Sequence, residues 1–256
     1  MGKNSSIQWT DHTWNPWHGC IKVSDGCKFC YMYRNKERYG QDPTTVIRSS
    51  KSTFEKPIHY SEKALVFTCS WSDFFIESAD QWRQEAWDII KATPHLTYQI
   101  LTKRPERILE CLPSDWGVGY DNVWLGVSVE NQLRLDERAP ILRTIPASVR
   151  FLSAEPLLGP ISMSAESLEG IHWAIIGGES GNENGDYKYR PCELDWFLQI
   201  IKDCDAVEIP IFVKQLGTYL AKENGMKDRH GGDPTEFLNT FLMRQEFPQS
   251  HKSERV

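Results

Sequence analysis

No stretch of this chain approaches the roughly 18 to 20 consecutive apolar residues that cross a bilayer, and the polar start Met1-Gly2-Lys3-Asn4-Ser5-Ser6 lacks the apolar core of a secretory signal. These two absences make a cytoplasmic protein with no membrane partner the expectation. An excess of positive charge is lacking as well: 29 Lys and Arg stand against 35 Asp and Glu, a formal charge of −6. A nucleic-acid partner would therefore have to meet a local basic patch, because the global field repels it. A paired set of cysteines is also missing. Seven are present, Cys20, Cys27, Cys30, Cys69, Cys111, Cys192 and Cys204, and an odd number without a leader argues against a disulfide framework. Internal repeats and low-complexity tracts are absent too. What the 256 residues do hold is 40% hydrophobic and 12% aromatic content, enough for one sizeable core.

After residue 60, short β-rich runs alternate with longer amphipathic stretches. The runs are residues 65–69, 97–101, 123–127, 149–153, 173–177 and 209–213, and helix-compatible segments lie near 78–92, 104–111, 131–143 and 193–206. Near-continuous apolar strands separated by helices predict an α/β fold with a parallel sheet covered on both faces, either open and doubly wound or barrel-like. About six repeats suit a partial barrel. Each run ends in polar residues, and Lys103, Glu130, Glu155, Glu179 and Lys214 sit at or just beyond those ends. In parallel α/β folds the site lies at the carboxyl ends of the strands, although helix caps also place polar residues there. Residues 1–217 read as the barrel, with a loop over 14–31. Residues 218–256 read as a polar, loop-like extension and tail, in which 227–234 is either a lid or a solvated turn.

Three of the cysteines are bunched. The segment from Trp14 to Tyr31 spaces Cys20, Cys27 and Cys30 as C-x6-C-x2-C, with Gly19 and Gly26 each preceding a cysteine and allowing a tight backbone turn. A helix beginning near Tyr33 would set its amino terminus beside them, where negative charge is favoured. Three chemistries are open. His18 could complete a structural zinc site with bonds of about 2.0 to 2.3 Å. Three thiolates could hold a [4Fe-4S] cluster with one iron left without a protein ligand, unless Cys69 supplies a fourth through the fold. Cys27 and Cys30 could form a redox dithiol, which leaves Cys20 without a task.

The spacing resembles the radical S-adenosylmethionine (SAM) motif, usually C-x3-C-x2-C with an aromatic residue before the last cysteine; Phe29 holds the aromatic place, and the first interval is longer. More closely, Trp9-Thr10-x-x-Thr13-Trp14-Asn15-Pro16, Gly19-Cys20, Leu101-Thr102-Lys103-Arg104-Pro105, Leu125-Gly126-Val127-Ser128-Val129-Glu130, residues 151–159, Gly177-Gly178-Glu179-Ser180-Gly181 and Lys214-Gln215 are similar to the three-Cys-motif proteins of phages and prophages. That resemblance runs from about residue 7 to Pro248. It implies a partial (β/α)6 barrel of radical SAM type, a [4Fe-4S] cluster on Cys20, Cys27 and Cys30, and SAM chelated at the open iron and cleaved to abstract hydrogen from a substrate. It also implies a reductant such as flavodoxin or ferredoxin.

Position along such a barrel suggests further roles. Ser70 and Asp73 would lie near the amino group of SAM, Lys103 or Arg104 near its carboxylate, and Ser128 and Glu130 near the ribose. Glu155, Lys214 and Glu179 are the candidate catalytic residues, the first two through proton transfer and the third by accepting a hydrogen bond from a ribose or a substrate amine. Trp9, Trp14, Trp17 and Trp71 could stack on a base, and Lys22, Lys28, Arg34, Lys36 and Arg38 could meet phosphate; the same tryptophans could instead wall off the metal from water. The expectation is a radical SAM-type enzyme acting on a nucleic acid or nucleotide in modification or repair. The other reading is a zinc-binding or non-catalytic phage accessory protein that binds nucleic acid or a phage-encoded protein.

Overall fold

The structure, a computed structural model, describes residues 5–237 and 240–248. The chain divides into two compact units, the first built from residues 1–24, 31–127 and 144–148, the second from residues 25–30, 128–143 and 149–256.

In the first unit the strands β1 (His12–Trp14), β4 (Ala64–Thr68), β5 (Leu96–Thr102) and β6 (Val123–Ser128) run parallel, with His12 beside Val66, Val66 beside Tyr98 and Tyr98 beside Val123. A short antiparallel pair, β2 (Trp17–His18) with β3 (Ile47–Arg48), follows β1. Every residue of β4 and β6 is buried, as near-continuous Val, Leu, Phe and Trp runs require when a parallel sheet is covered on both faces. The helices are α1 (Tyr31–Arg38), α2 (Lys51–Phe54), α3 (Asp80–Ala92) and α4 (Ile108–Cys111). Helix α3 buries Arg83, Ala86, Trp87, Ile89 and Ile90, the spacing of one helical face, and Nε1 of Trp87 donates to the Cys111 carbonyl at 2.8 Å. Truncating Ile90 to Ala in such a seam costs ~2–5 kcal/mol.

The second unit has parallel β7 (Val149–Ala154), β8 (Trp173–Gly177) and β9 (Ile211–Gln215), in that order. Its helices are α5 (Gln132–Arg143), α6 (Ala165–Leu168), α7 (Leu194–Asp205) and α8 (Gly217–Glu223). Phe197, Ile200, Ile201 and Cys204 form the buried stripe of α7. Both units are α/β, and all six strands and four helices expected from the apolar runs are present, within a few residues at each end. Among the described residues no helix is long and apolar enough to cross a membrane.

Two expectations need correction. Residues from 218 are not simply loop: α8 follows β9 at once, and Phe212 bridges Gln245 in antiparallel sense while Val213 donates to the Arg244 carbonyl at 2.7 Å. Trp173 explains why that late stretch is held, since its ring stacks on Phe247 and its Nε1 donates to the Glu246 carbonyl. The 227–234 segment is a turn closed on Asp228, whose carboxylate accepts from the amides of His230 and Gly232, and Leu216 donates to the Gly231 carbonyl. Residues 249–256 of the expected tail lie outside the described residues. The tryptophans are the second correction. Trp9, Trp14 and Trp17 are at most 2% exposed, and Trp14 and Trp17 donate to the carbonyls of Phe54 and Asp73, so they belong to the core and offer no face to a base. Trp71 is half-buried.

Candidate functional site

In the first unit the loop after β2 carries Cys20. Gly19 before it has φ +98°, and a Cβ there would stand 2.2 Å from the Thr45 carbonyl oxygen, so only glycine lets the chain turn so close to its neighbour. The loop is fixed from three sides: Cys20 donates its amide to the Pro43 carbonyl (2.9 Å), Gly19 donates to Trp71 (3.0 Å), and the Tyr33 hydroxyl of α1 donates to the Cys20 carbonyl (2.5 Å). The segment after β4 completes the grip. Asn15 and Ser70 exchange side-chain hydrogen bonds, Asn15 accepts from the Trp71 amide at 2.8 Å, and Ser72 Oγ donates to the Gly19 carbonyl at 2.6 Å. Ser70, a candidate SAM contact, therefore braces the loop of Cys20.

Asp73 and Arg104 sit behind it, 5% and 7% exposed. Asp73 accepts from Thr102 Oγ1 (2.7 Å) and from the amides of Phe75 (2.9 Å) and Lys103 (3.0 Å), and Arg104 Nη1 lies 3.2 Å from its Oδ2. The same Nη1 is 3.9 Å from Cys20 Sγ, and Nη2 donates to the Ile21 carbonyl at 2.7 Å. Burial works against the Arg104 cation, but Asp73 and Cys20 beside it outweigh that and raise its pKa. Cys69 adopts φ +62° and is buried; its thiol is pushed up first by burial and then by Asp73, with Arg83 opposing and Cys20 adding to the rise. Lys103 is half-buried and contributes its backbone amide to Asp73.

Beside this loop lie two buried nitrogens. Lys36, 1% exposed, has no hydrogen-bond partner at Nζ, and His18 has none at Nδ1; burial lowers both pKa values, with Lys36 adding to the shift at His18 and Asp42 opposing that at Lys36. Lys36 is thus withdrawn from the basic set expected to meet phosphate, because its side chain is in the core.

In the second unit, Cys27 closes a 3-10 turn (Asp25–Cys27) and Cys30 ends the loop, both half-buried. The turn rests on Glu130: a Cβ on Gly26 would be 2.4 Å from Glu130 Oε1. Glu130 is 0% exposed and pairs with Arg138 at 2.8 Å, while the same arginine nitrogen donates to the Ser128 carbonyl. Glu130 and Ser128, placed by sequence near a ribose, are here parts of a buried prop under the cysteine turn. Arg190 is the residue that sequence reasoning missed. It donates Nε to Glu179 Oε2 at 2.8 Å, its Nη2 pairs with Glu179 Oε1, its amide donates to Oε2 at 2.9 Å, and Nη1 donates to the Asp25 carbonyl at 3.0 Å. Its guanidinium also lies 5.3 Å from the centroid of Phe29.

Lys214 and Glu155 meet at 2.9 Å, both partly exposed, at the ends of β9 and β7. Gly177 and Gly178 do permit a close approach, but of the chain to itself: Cβ atoms there would meet Glu155 Oε1 at 2.6 Å and the Leu216 carbonyl at 2.2 Å. None of the seven cysteines is in a disulfide. Among the described residues no group of three or more His, Cys, Asp and Glu side chains is gathered as a metal site.

Comparison with protein families matches residues 4–248 to one described as "Protein of unknown function (DUF5131)". No curated protein and no solved structure matches.

Proposed function

We propose that this chain, which belongs to the DUF5131 family, is a radical SAM-type enzyme whose Cys20, Cys27 and Cys30 hold a [4Fe-4S] cluster. The observation that carries the reading is the thiol set itself. Three half-buried cysteines in a C-x6-C-x2-C segment are outside any disulfide, and the guanidinium of Arg104 stands 3.9 Å from Cys20 Sγ, while the other four cysteines are buried. Thiols that remain reachable beside a fixed cation suit a negatively charged, thiolate-bound group. The chemistry such a group supplies with SAM is one-electron cleavage followed by hydrogen abstraction from a substrate.

The chain's own residues take defined parts. Arg104 carries positive charge to the loop of Cys20 and is paired with Asp73. Tyr33, Asn15, Ser70 and Ser72 fix the backbone around Cys20, and Glu130 and Glu179 brace the segment of Cys27 and Cys30, one directly and one through Arg190. Lys214 and Glu155 share a hydrogen-bonded contact across which a proton can be held or moved. A partial (β/α)6 barrel of radical SAM type is the architecture this reading requires. A nucleic acid or nucleotide is the proposed substrate class, with exposed Lys22, Lys28 and Arg38 as the cations that would meet phosphate. A flavodoxin or ferredoxin as reductant, a phage-encoded partner and a cytoplasmic setting complete the proposal.

Anaerobic purification tests it. A brown protein with iron and sulfide in near-equal amounts, which forms 5′-deoxyadenosine with dithionite and SAM and loses both properties in Cys27→Ala, is the expected result. A colourless protein with one zinc per chain overturns it in favour of the second reading, a zinc site of three thiolates and His18, which has the unpartnered Nδ1 of His18 in its support.

A further inference from the structure

We infer that Arg190 is the positioning residue for the Cys27 and Cys30 loop, and that Glu179 acts on that loop only through it. The inference deepens the proposed function and rests on its premise that these two cysteines are metal ligands.

The geometry has two halves. On one side, both oxygens of the buried Glu179 carboxylate are taken by Arg190, through Nε, Nη2 and the backbone amide. A fork held at two nitrogens and anchored at its own backbone has one orientation. On the other side, the remaining nitrogen, Nη1, donates to the Asp25 carbonyl at 3.0 Å, the first residue of the 3-10 turn that ends in Cys27. The guanidinium plane also lies 5.3 Å from the ring of Phe29, between the two cysteines in sequence. One side chain thus touches the loop at its start and near its end.

Within the loop the Lys28 amide donates to the Asp25 carbonyl at 3.1 Å, the same carbonyl that accepts from Arg190. Arg190 and the Glu130 prop beneath Gly26 hold this turn from two directions. Glu179 is 6% exposed and makes this ion pair to a partly exposed arginine, so the carboxylate is the fixed partner and the guanidinium the arm that reaches out.

The experiment uses the full-length, reduced, metal-free protein and two variants, Arg190→Gln and Glu179→Gln. Timed alkylation read by peptide mass spectrometry follows each cysteine, and cobalt(II) titration follows the sulfur-to-metal charge-transfer band. Outer-shell partners typically govern affinity by about 10- to 100-fold. The expected result is about a tenfold weaker cobalt(II) affinity with an altered band in both variants, together with faster alkylation of Cys27 and Cys30. Cys20, held by Pro43 and Tyr33 in the other unit, and buried Cys69, Cys192 and Cys204 keep their wild-type rates. Unchanged Cys27 and Cys30 rates with unchanged affinity overturn the inference, as does an equal rise at all seven cysteines, which marks general loosening. Should Arg190→Gln fail to fold, Glu179→Gln decides alone, since it removes the charge that orients the arm and keeps the side-chain shape. Wild-type protein that takes up no metal at all defeats the proposed function instead, and the alkylation pattern then still reports on the loop.

Discussion

Arg104 stands 3.9 Å from the sulfur of Cys20 through the same nitrogen that lies 3.2 Å from the Asp73 carboxylate. The two contacts have unequal weight. A guanidinium and a carboxylate that are both nearly buried depend on each other, and removing one leaves an uncompensated charge. Arg104→Met is therefore expected to cost about 3 kcal/mol of stability, softened by the three other hydrogen bonds Asp73 accepts. Arg104→Met/Asp73→Asn, which removes the uncompensated charge and keeps a side-chain acceptor for the Thr102 hydroxyl and the Phe75 amide, should recover part of that loss. Urea unfolding of the metal-free protein measures both, and equal stability of the single variant and the wild type would refute the coupling.

Gly26 yields a second expectation. A methyl group there would overlap Glu130, and Glu130 cannot swing away without giving up Arg138. Gly26→Ala should cost about 1–3 kcal/mol, the usual range for overpacking, and should lower the metal content of the purified protein because the turn that presents Cys27 must shift. Gly26→Ala and Glu130→Ala should combine non-additively, since the second removes what the first strikes. Additive free energies in a double-mutant cycle would show that the overlap is relieved elsewhere.

These two arrangements mark the boundary of what was legible in the sequence. The runs at 65–69, 123–127 and 173–177 were readable as strands because each is mostly apolar on both faces, the requirement of a covered parallel sheet. Strand β1 was not, since His12-Thr13-Trp14 is three residues long and carries a histidine. The cysteine spacing was legible for the same reason that it is chemically useful: thiols within eleven residues need no fold to bring them near. The roles of Glu130 and Glu179 were not, because a carboxylate at a strand end looks the same whether it faces a ligand or an arginine. Arg138 and Arg190 decide between these, one inside an otherwise apolar helix face and the other in a polar loop eleven residues after Glu179. The tryptophans erred in the opposite direction: clustering near the cysteines is equally produced by a core seam, and the buried Nε1 bonds of Trp14 and Trp17 show that it was.

Alkaline pH should find weak points at the buried thiols. Burial, with acidic neighbours adding to it, pushes the thiols of Cys192 and Cys204 up to about 12. The folded protein then keeps protons that the unfolded chain releases near 9.0, so both groups favour unfolding progressively as pH rises from about 9 to about 12. Stability below that window is unaffected by them. The urea midpoint should fall between pH 8 and pH 11, and Cys204→Ala, although less stable at pH 7, should show a shallower fall. An identical slope in variant and wild type would remove Cys204 as a source.

Lys36 poses the converse case, a cation lodged in the core of the first unit with no acceptor at Nζ. Burial lowers its pKa and Asp42 only partly restores it, so the unfolded chain binds the proton more readily than the folded one. The penalty is present at low pH and is relieved as pH climbs from the lowered folded value towards the 10.5 of an ordinary lysine. Replacing the amine by an apolar side chain of similar length removes the penalty, because a buried polar group without a partner costs about 1–3 kcal/mol. Lys36→Met should accordingly raise the urea midpoint at pH 6, and the advantage should shrink steadily towards pH 10. The sign of that trend is the test: a destabilised Lys36→Met at every pH would mean that Nζ meets an acceptor in solution, an ordered water for example.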